Sequence, residues 1–169
     1  MNRKLVLLFL VAVFALSSMG MSYAQDKFVI FTGPFVASDN EVSKDVGDVY
    51  VFPDQEDHLV VSVSNAYPGY EAYVTFNIQY IFDGSDPIYV EGIDITNIYA
   101  GTEMDVVVTD LSGNPIPVGT QLDPGDILGV RLTITMLDDA VQDTSYSFGV
   151  DFEFSDRLPA AAASLMSLI

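Results

Sequence analysis

Three long stretches of this chain alternate apolar and polar residues one for one, and that period of two constrains its fold more than any other feature. Tyr70, Ala72, Val74, Phe76, Ile78 and Tyr80 alternate with Glu71, Tyr73, Thr75, Asn77 and Gln79. Leu128, Val130, Leu132, Ile134 and Met136 repeat the pattern around Gly129, Arg131, Thr133 and Thr135. Tyr146, Phe148, Val150, Phe152 and Phe154 do the same around Ser147, Gly149, Asp151 and Glu153. Successive strand side chains point to opposite faces, so each stretch has one face to bury and one to leave in water. Half-buried strands of this kind belong to antiparallel sheets, since parallel strands are covered on both faces.

Shorter strands are predicted at Lys27–Phe31, Asp48–Phe52, His58–Val63, Ile88–Ile95 and Met104–Thr109. Turn residues separate them: Pro53-Asp54-Gln55, Pro68-Gly69, Asp83-Gly84-Ser85-Asp86-Pro87, Ser112-Gly113-Asn114-Pro115 and Asp123-Pro124-Gly125-Asp126. Proline fixes φ and glycine tolerates positive φ, so these clusters punctuate the chain. Roughly eight strands at this spacing predict an all-β, antiparallel β-sandwich of immunoglobulin-like or jelly-roll-like type. Residues 33–47 carry no firm period. Gly33-Pro34 is expected to stop the first strand, with a loop or a short helix capped near Asp39 after it.

The chain begins with Arg3 and Lys4, an apolar run from Leu5 to Leu16, and Ser22-Tyr23-Ala24. This order of charged end, apolar helix and small residues predicts a secretion signal over residues 1–24, cleaved after Ala24. An uncleaved anchor is the alternative, but the apolar run is short for a spanning helix of about 20 residues. The expected organisation is then a β-prone segment over 25–32, a sandwich over 33–157 and an apolar tail over 158–169. The tail is expected to be a short docking helix or a frayed end, with membrane contact as the alternative.

Cleavage would remove two of the six basic residues and none of the 24 acidic ones, moving the net charge from −18 to −20. Such a surface repels nucleic acid and anionic lipid and favours cations, basic partners or high salt. Without cysteine, disulfides, thiol catalysis and thiolate metal sites are excluded. His58 is the only histidine, so there is no His-Glu-x-x-His frame for zinc and no recognisable serine triad. No nucleophile elbow of the Gly-x-Ser-x-Gly form occurs. We therefore expect no enzyme activity and no firmly implied cofactor. Structural calcium is the one cation the turns invite, through Asp83, Ser85 and Asp86, through Asp123 with Asp126, or through Asp138 with Asp139. Ordinary acidic turns explain the same residues. Tyr67, Tyr70 and Tyr73 would suit a carbohydrate platform, although sandwich cores and strand edges also consume tyrosines.

Lys27-Phe28-Val29-Ile30-Phe31-Thr32 is strongly β-prone and lies close to the predicted cleavage point. A free terminal strand can complete the open sheet of another copy, and a head-to-tail contact that does not close builds a filament. The same strand can instead fold into its own subunit.

The stretch Val61-Ser62-Val63-Ser64-Asn65-Ala66-Tyr67-Pro68-Gly69-Tyr70-Glu71-Ala72-Tyr73-Val74-Thr75-Phe76-Asn77-Ile78 resembles secreted β-sandwich proteins of the TasA and camelysin type, including subunits of archaeal bundling pili. Leu122-Asp123-Pro124-Gly125-Asp126, leading into Ile127–Leu137, is similar to their second Pro-Gly-led strand, and Thr144–Ser155 to their closing aromatic strand. The chain departs from the common form after Ile78, where Phe82-Asp83-Gly84-Ser85-Asp86-Pro87 stands in place of an Asn-x-Gly-x-x-Pro connection. The resemblance implies a structural subunit of a biofilm-matrix fibre or bundling pilus, secreted and joined to copies of itself by donor-strand complementation. Carried onto this chain, the donor would be Gln25–Thr32, inserting Phe28 and Ile30, or Val29 and Phe31. Camelysins have also been described as metalloproteases, but with His58 alone that activity is not carried over. A non-polymerising cell-surface binding module is the alternative.

Overall fold

The period-two stretches become the best-covered strands of two facing antiparallel sheets. The computed structural model describes residues 28–40, 47–53 and 57–160. The predicted signal, residues 25–27 of the 25–32 segment and residues 161–169 of the tail lie outside the described residues. Nine strands are present among those described: β1 Phe28–Asp39, β2 Asp48–Pro53, β3 His58–Ala66, β4 Glu71–Ile81, β5 Ile88–Thr96, β6 Met104–Asp110, β7 Gln121–Leu122, β8 Ile127–Met136 and β9 Thr144–Ser155. One sheet has the order β1-β4-β8-β6 and the other β2-β3-β9-β5-β7.

The long alternating strands β4 and β8 are the inner pair of the first sheet, and β9 is the centre of the second. A central strand is flanked on both sides and buries a whole face, which is why its alternation is so clean. Of the strands adjacent in sequence only β2 and β3 pair; each other connection passes from one sheet to the other. This interleaving locks the sheets together without a disulfide.

Between the sheets lie the inward sets predicted from sequence, including Ala72, Val74, Phe76, Ile78, Val130, Leu132, Ile134, Phe148, Val150 and Phe152, all nearly or fully buried. Phe76 and Phe152 meet edge to face at 6.0 Å across the gap. Buried tyrosines need a partner for the hydroxyl. Tyr80 donates to the Asp86 carbonyl at 3.0 Å, and Tyr146 accepts from the Val141 N–H at 2.7 Å. Burial is the main cause raising both phenols above their ordinary pKa.

The expected end of the first strand at Gly33-Pro34 is wrong. β1 continues to Asp39, still paired with β4. Proline has no N–H for the ladder, and the chain absorbs it with a bulge. From Thr32 to Val36 the register of β1 advances four residues while β4 advances two, from Asn77 to Thr75. Two extra residues preserve the alternation, so the same face of β1 stays turned inward on both sides of the bulge. The Gly33–Pro34 peptide is cis. Beyond Asp39, Asn40 fastens the strand end to the Pro68-Gly69 turn. Its side chain donates to the Gly69 carbonyl at 3.0 Å and accepts the Glu71 N–H at 3.2 Å. Gly69 sits at φ +83°, where a side chain would be strained.

Candidate functional site

The predicted polymerisation residues Phe28, Val29, Ile30 and Phe31 all lie in β1, at the edge of the four-stranded sheet. Among the described residues β1 pairs with β4 alone, Phe28 standing opposite Ile81, Val29 opposite Tyr80, Ile30 opposite Gln79 and Phe31 opposite Ile78. The pleat separates these residues. Val29 is buried at 7% exposure and Phe31 packs against the core, whereas Ile30 is half-buried and stands opposite the outward Gln79. The side chain of Phe28 lies outside the described residues. Val29 and Phe31 therefore face the core of their own chain, whereas Ile30 does not.

Phe31 meets Phe76 of β4 at 5.7 Å and Phe152 of β9 at 5.9 Å, both edge to face. Past the bulge, Phe35 stacks on Phe76 with ring centroids 5.9 Å apart. Phe35 falls in the segment expected to be a loop or a short helix and is not among the predicted site residues; its place two residues beyond Gly33 in the odd-numbered set of Val29 and Phe31 is the signal that marks it. The groove that β1 fills is thus floored by Phe76, Ile78 and Tyr80 of β4 and faced by Phe152 of β9. Where β1 begins, Val29, Tyr80, Ile88, Phe154, Ser155 and Asp156 line a half-open cavity of about 380 Å3. The unit that sits in the groove runs from Phe28 to Asp39, so the expected boundary between residues 32 and 33 falls inside one strand.

The other sequence candidates do not converge on a site. Tyr70 is fully buried, and its ring tilts against that of Tyr67 at 5.6 Å. Tyr73 stands on the opposite face of β4 from the buried Ala72 and Val74, because an odd separation inverts the face. The three tyrosines therefore form no common platform. His58 lies on the outer face of the five-stranded sheet, its Nδ1 2.5 Å from the Asp151 carboxylate. Its ring covers Gly149, where an added Cβ would come within 2.8 Å of His58 Cε1.

Two acidic turns use a carboxylate on their own backbone. Asp126 accepts the Asp123 N–H at 2.9 Å, and Asp123 accepts the Gln121 amide at 2.8 Å. Asp110 accepts the N–H groups of Ser112 and Asn114, both at 2.8 Å. Hydrogen bonds from Asn114, first from its backbone, hold the Asp110 carboxyl below its ordinary value. Among the described residues no three His, Asp or Glu side chains group closely enough to hold a metal ion. Nor is any described helix long and apolar enough to cross a membrane. No protein-family model, curated protein or solved structure matches the chain.

Proposed function

We propose that the protein is a secreted structural subunit that polymerises head to tail into an extracellular matrix fibre or bundling pilus, its first strand completing the sandwich of the next copy. The observation that carries this reading is the position of β1. It is an edge strand, paired among the described residues with β4 alone, and its inward side chains Val29, Phe31 and Phe35 fill a groove built by other strands. Exchanging an identical element between copies keeps every contact and costs little beyond association, so the same groove accepts a strand in cis or in trans. The cavity beside Val29 leaves room for a further side chain of an incoming strand. Strong net negative charge suits an extracellular polymer whose subunits must join only through a specific contact. The resemblance to TasA- and camelysin-type proteins points the same way.

Negative-stain images of the purified protein test the proposal. Filaments are expected, with loss of filaments on deleting residues 28–39 and recovery of a folded, monomeric acceptor when a synthetic 28–39 peptide is added. Discrete particles at every concentration would instead favour a non-polymerising surface module.

A further inference from the structure

We propose that the outer face and free edge of β2 dock an extended, lysine- or arginine-bearing segment of a partner protein. Val49 and Val51 of this strand pack on the core. Asp48, Tyr50 and Phe52 occupy the alternate positions and face outward. Tyr50 and Phe52 are 50% and 56% exposed, with ring centroids 6.5 Å apart and planes within 16° of parallel. Across the sheet, Phe52 stands opposite Val60 and Tyr50 opposite Ser62 of β3. Ser62 in turn accepts a hydrogen bond from Ser147 at 3.3 Å.

Among the described residues the edge itself is open. β2 ends its sheet, and among the described residues no strand pairs with its outer flank. Edge strands are ordinarily blunted by lysine, proline or a bulge. β2 carries no lysine, holds a regular register with β3 and meets proline only at its last residue, Pro53. A strand added there would gain main-chain hydrogen bonds from the edge and side-chain contacts from the rings.

Charge identifies the occupant. None of the five strands of this sheet contains lysine or arginine; its outer face carries Asp48 on β2 itself, Glu153 and Asp94 farther across on β9 and β5, and Asp151 in contact with His58. Aromatic faces attract ammonium and guanidinium groups, and carboxylates pair with them. Nucleic acid and anionic membranes are repelled, and a second copy brings the same excess of acid. A neutral saccharide would use the rings but neither the open edge nor the charge.

Fluorescence anisotropy tests the proposal on the full chain with a labelled alternating Lys-Thr peptide. Saturable one-to-one binding is expected, weakened by salt and about tenfold weaker in the Tyr50→Ser/Phe52→Ser double variant. Tyr73→Ser, on the outer face of the other sheet, should leave binding unchanged. Amide exchange on the unmodified protein supplies an independent readout: the peptide should slow exchange in residues 48–52. The proposal is overturned if the peptide does not bind, if the double variant binds it equally well, or if exchange in β2 is unaffected. Preferential binding of a Glu-Thr peptide or a neutral oligosaccharide would overturn it too, as would self-association of the protein through Tyr50 and Phe52.

Discussion

Phe31 in the first strand meets Phe152 in the last, edge to face with ring centroids 5.9 Å apart, and so ties an edge of one sheet to the centre of the other. The contact makes the outermost strand of the fold part of its core, and it fixes what changes in that strand should do.

Phe31→Ala should cost about 2–3 kcal/mol of folding stability, less than the roughly 3–5 kcal/mol expected for the fully buried Phe152→Ala. Ile30→Ala, one residue away on the outward face, should cost well under about 1 kcal/mol. Urea denaturation of the three variants checks the order. Equal losses at residues 30 and 31 would show that the face of β1 has been misassigned.

Asn40→Ala should release the end of β1 from the Pro68-Gly69 turn, removing two side-chain hydrogen bonds at a cost on the order of 1–2 kcal/mol. Faster amide exchange at Ala37–Asp39, with β8 and β9 unchanged, is the expected signature.

Asp110 gives a prediction with a definite sign in pH. Its carboxylate is held below the ordinary value of 3.8 by N–H donors of its own turn. A depressed folded pKa contributes stability that is fully present above the unfolded value and is lost as pH falls through the folded one. The wild type should therefore melt above Asp110→Ala at pH 6, and the gap should narrow as pH falls below about 3.8. A gap that is constant down to pH 2 would contradict the assignment.

Gly149 is small because His58 lies over it. Gly149→Ala should push the imidazole away from Asp151 and destabilise the protein by about 1 kcal/mol. In the His58→Ala background the same substitution should cost less, a coupling that a double-mutant cycle measures directly.

The strands legible in the sequence were those whose surroundings obey one rule. β4, β8 and β9 bury one face against the opposite sheet and leave the other wet, so their alternation mirrors their environment residue by residue. β1 was legible only to Thr32, because a proline that normally ends pairing is absorbed here by two extra residues in a bulge. Phe35 is hidden from a period-two reading for that reason, though the bulge keeps it in phase with Val29 and Phe31. β7 is two residues long, too short to carry any period. Tyr67, Tyr70 and Tyr73 looked like one cluster because they are close in sequence, whereas the pleat and burial of Tyr70 divide them. The Tyr50–Phe52 pair was the more accessible aromatic surface, and its mark was simple: two rings at spacing two on a strand whose intervening residues are valines.

Because the chain has no cysteine, the central claim can be tested by placing two. Thr32 of β1 stands opposite Asn77 of β4, so a Thr32→Cys/Asn77→Cys variant joins whichever β1 and β4 are paired. Oxidised under assembly conditions and run without reductant, it should give a ladder of covalent multimers, because the strand that fills each groove comes from the next copy. A single cross-linked monomer band from protein that has formed filaments would contradict the account.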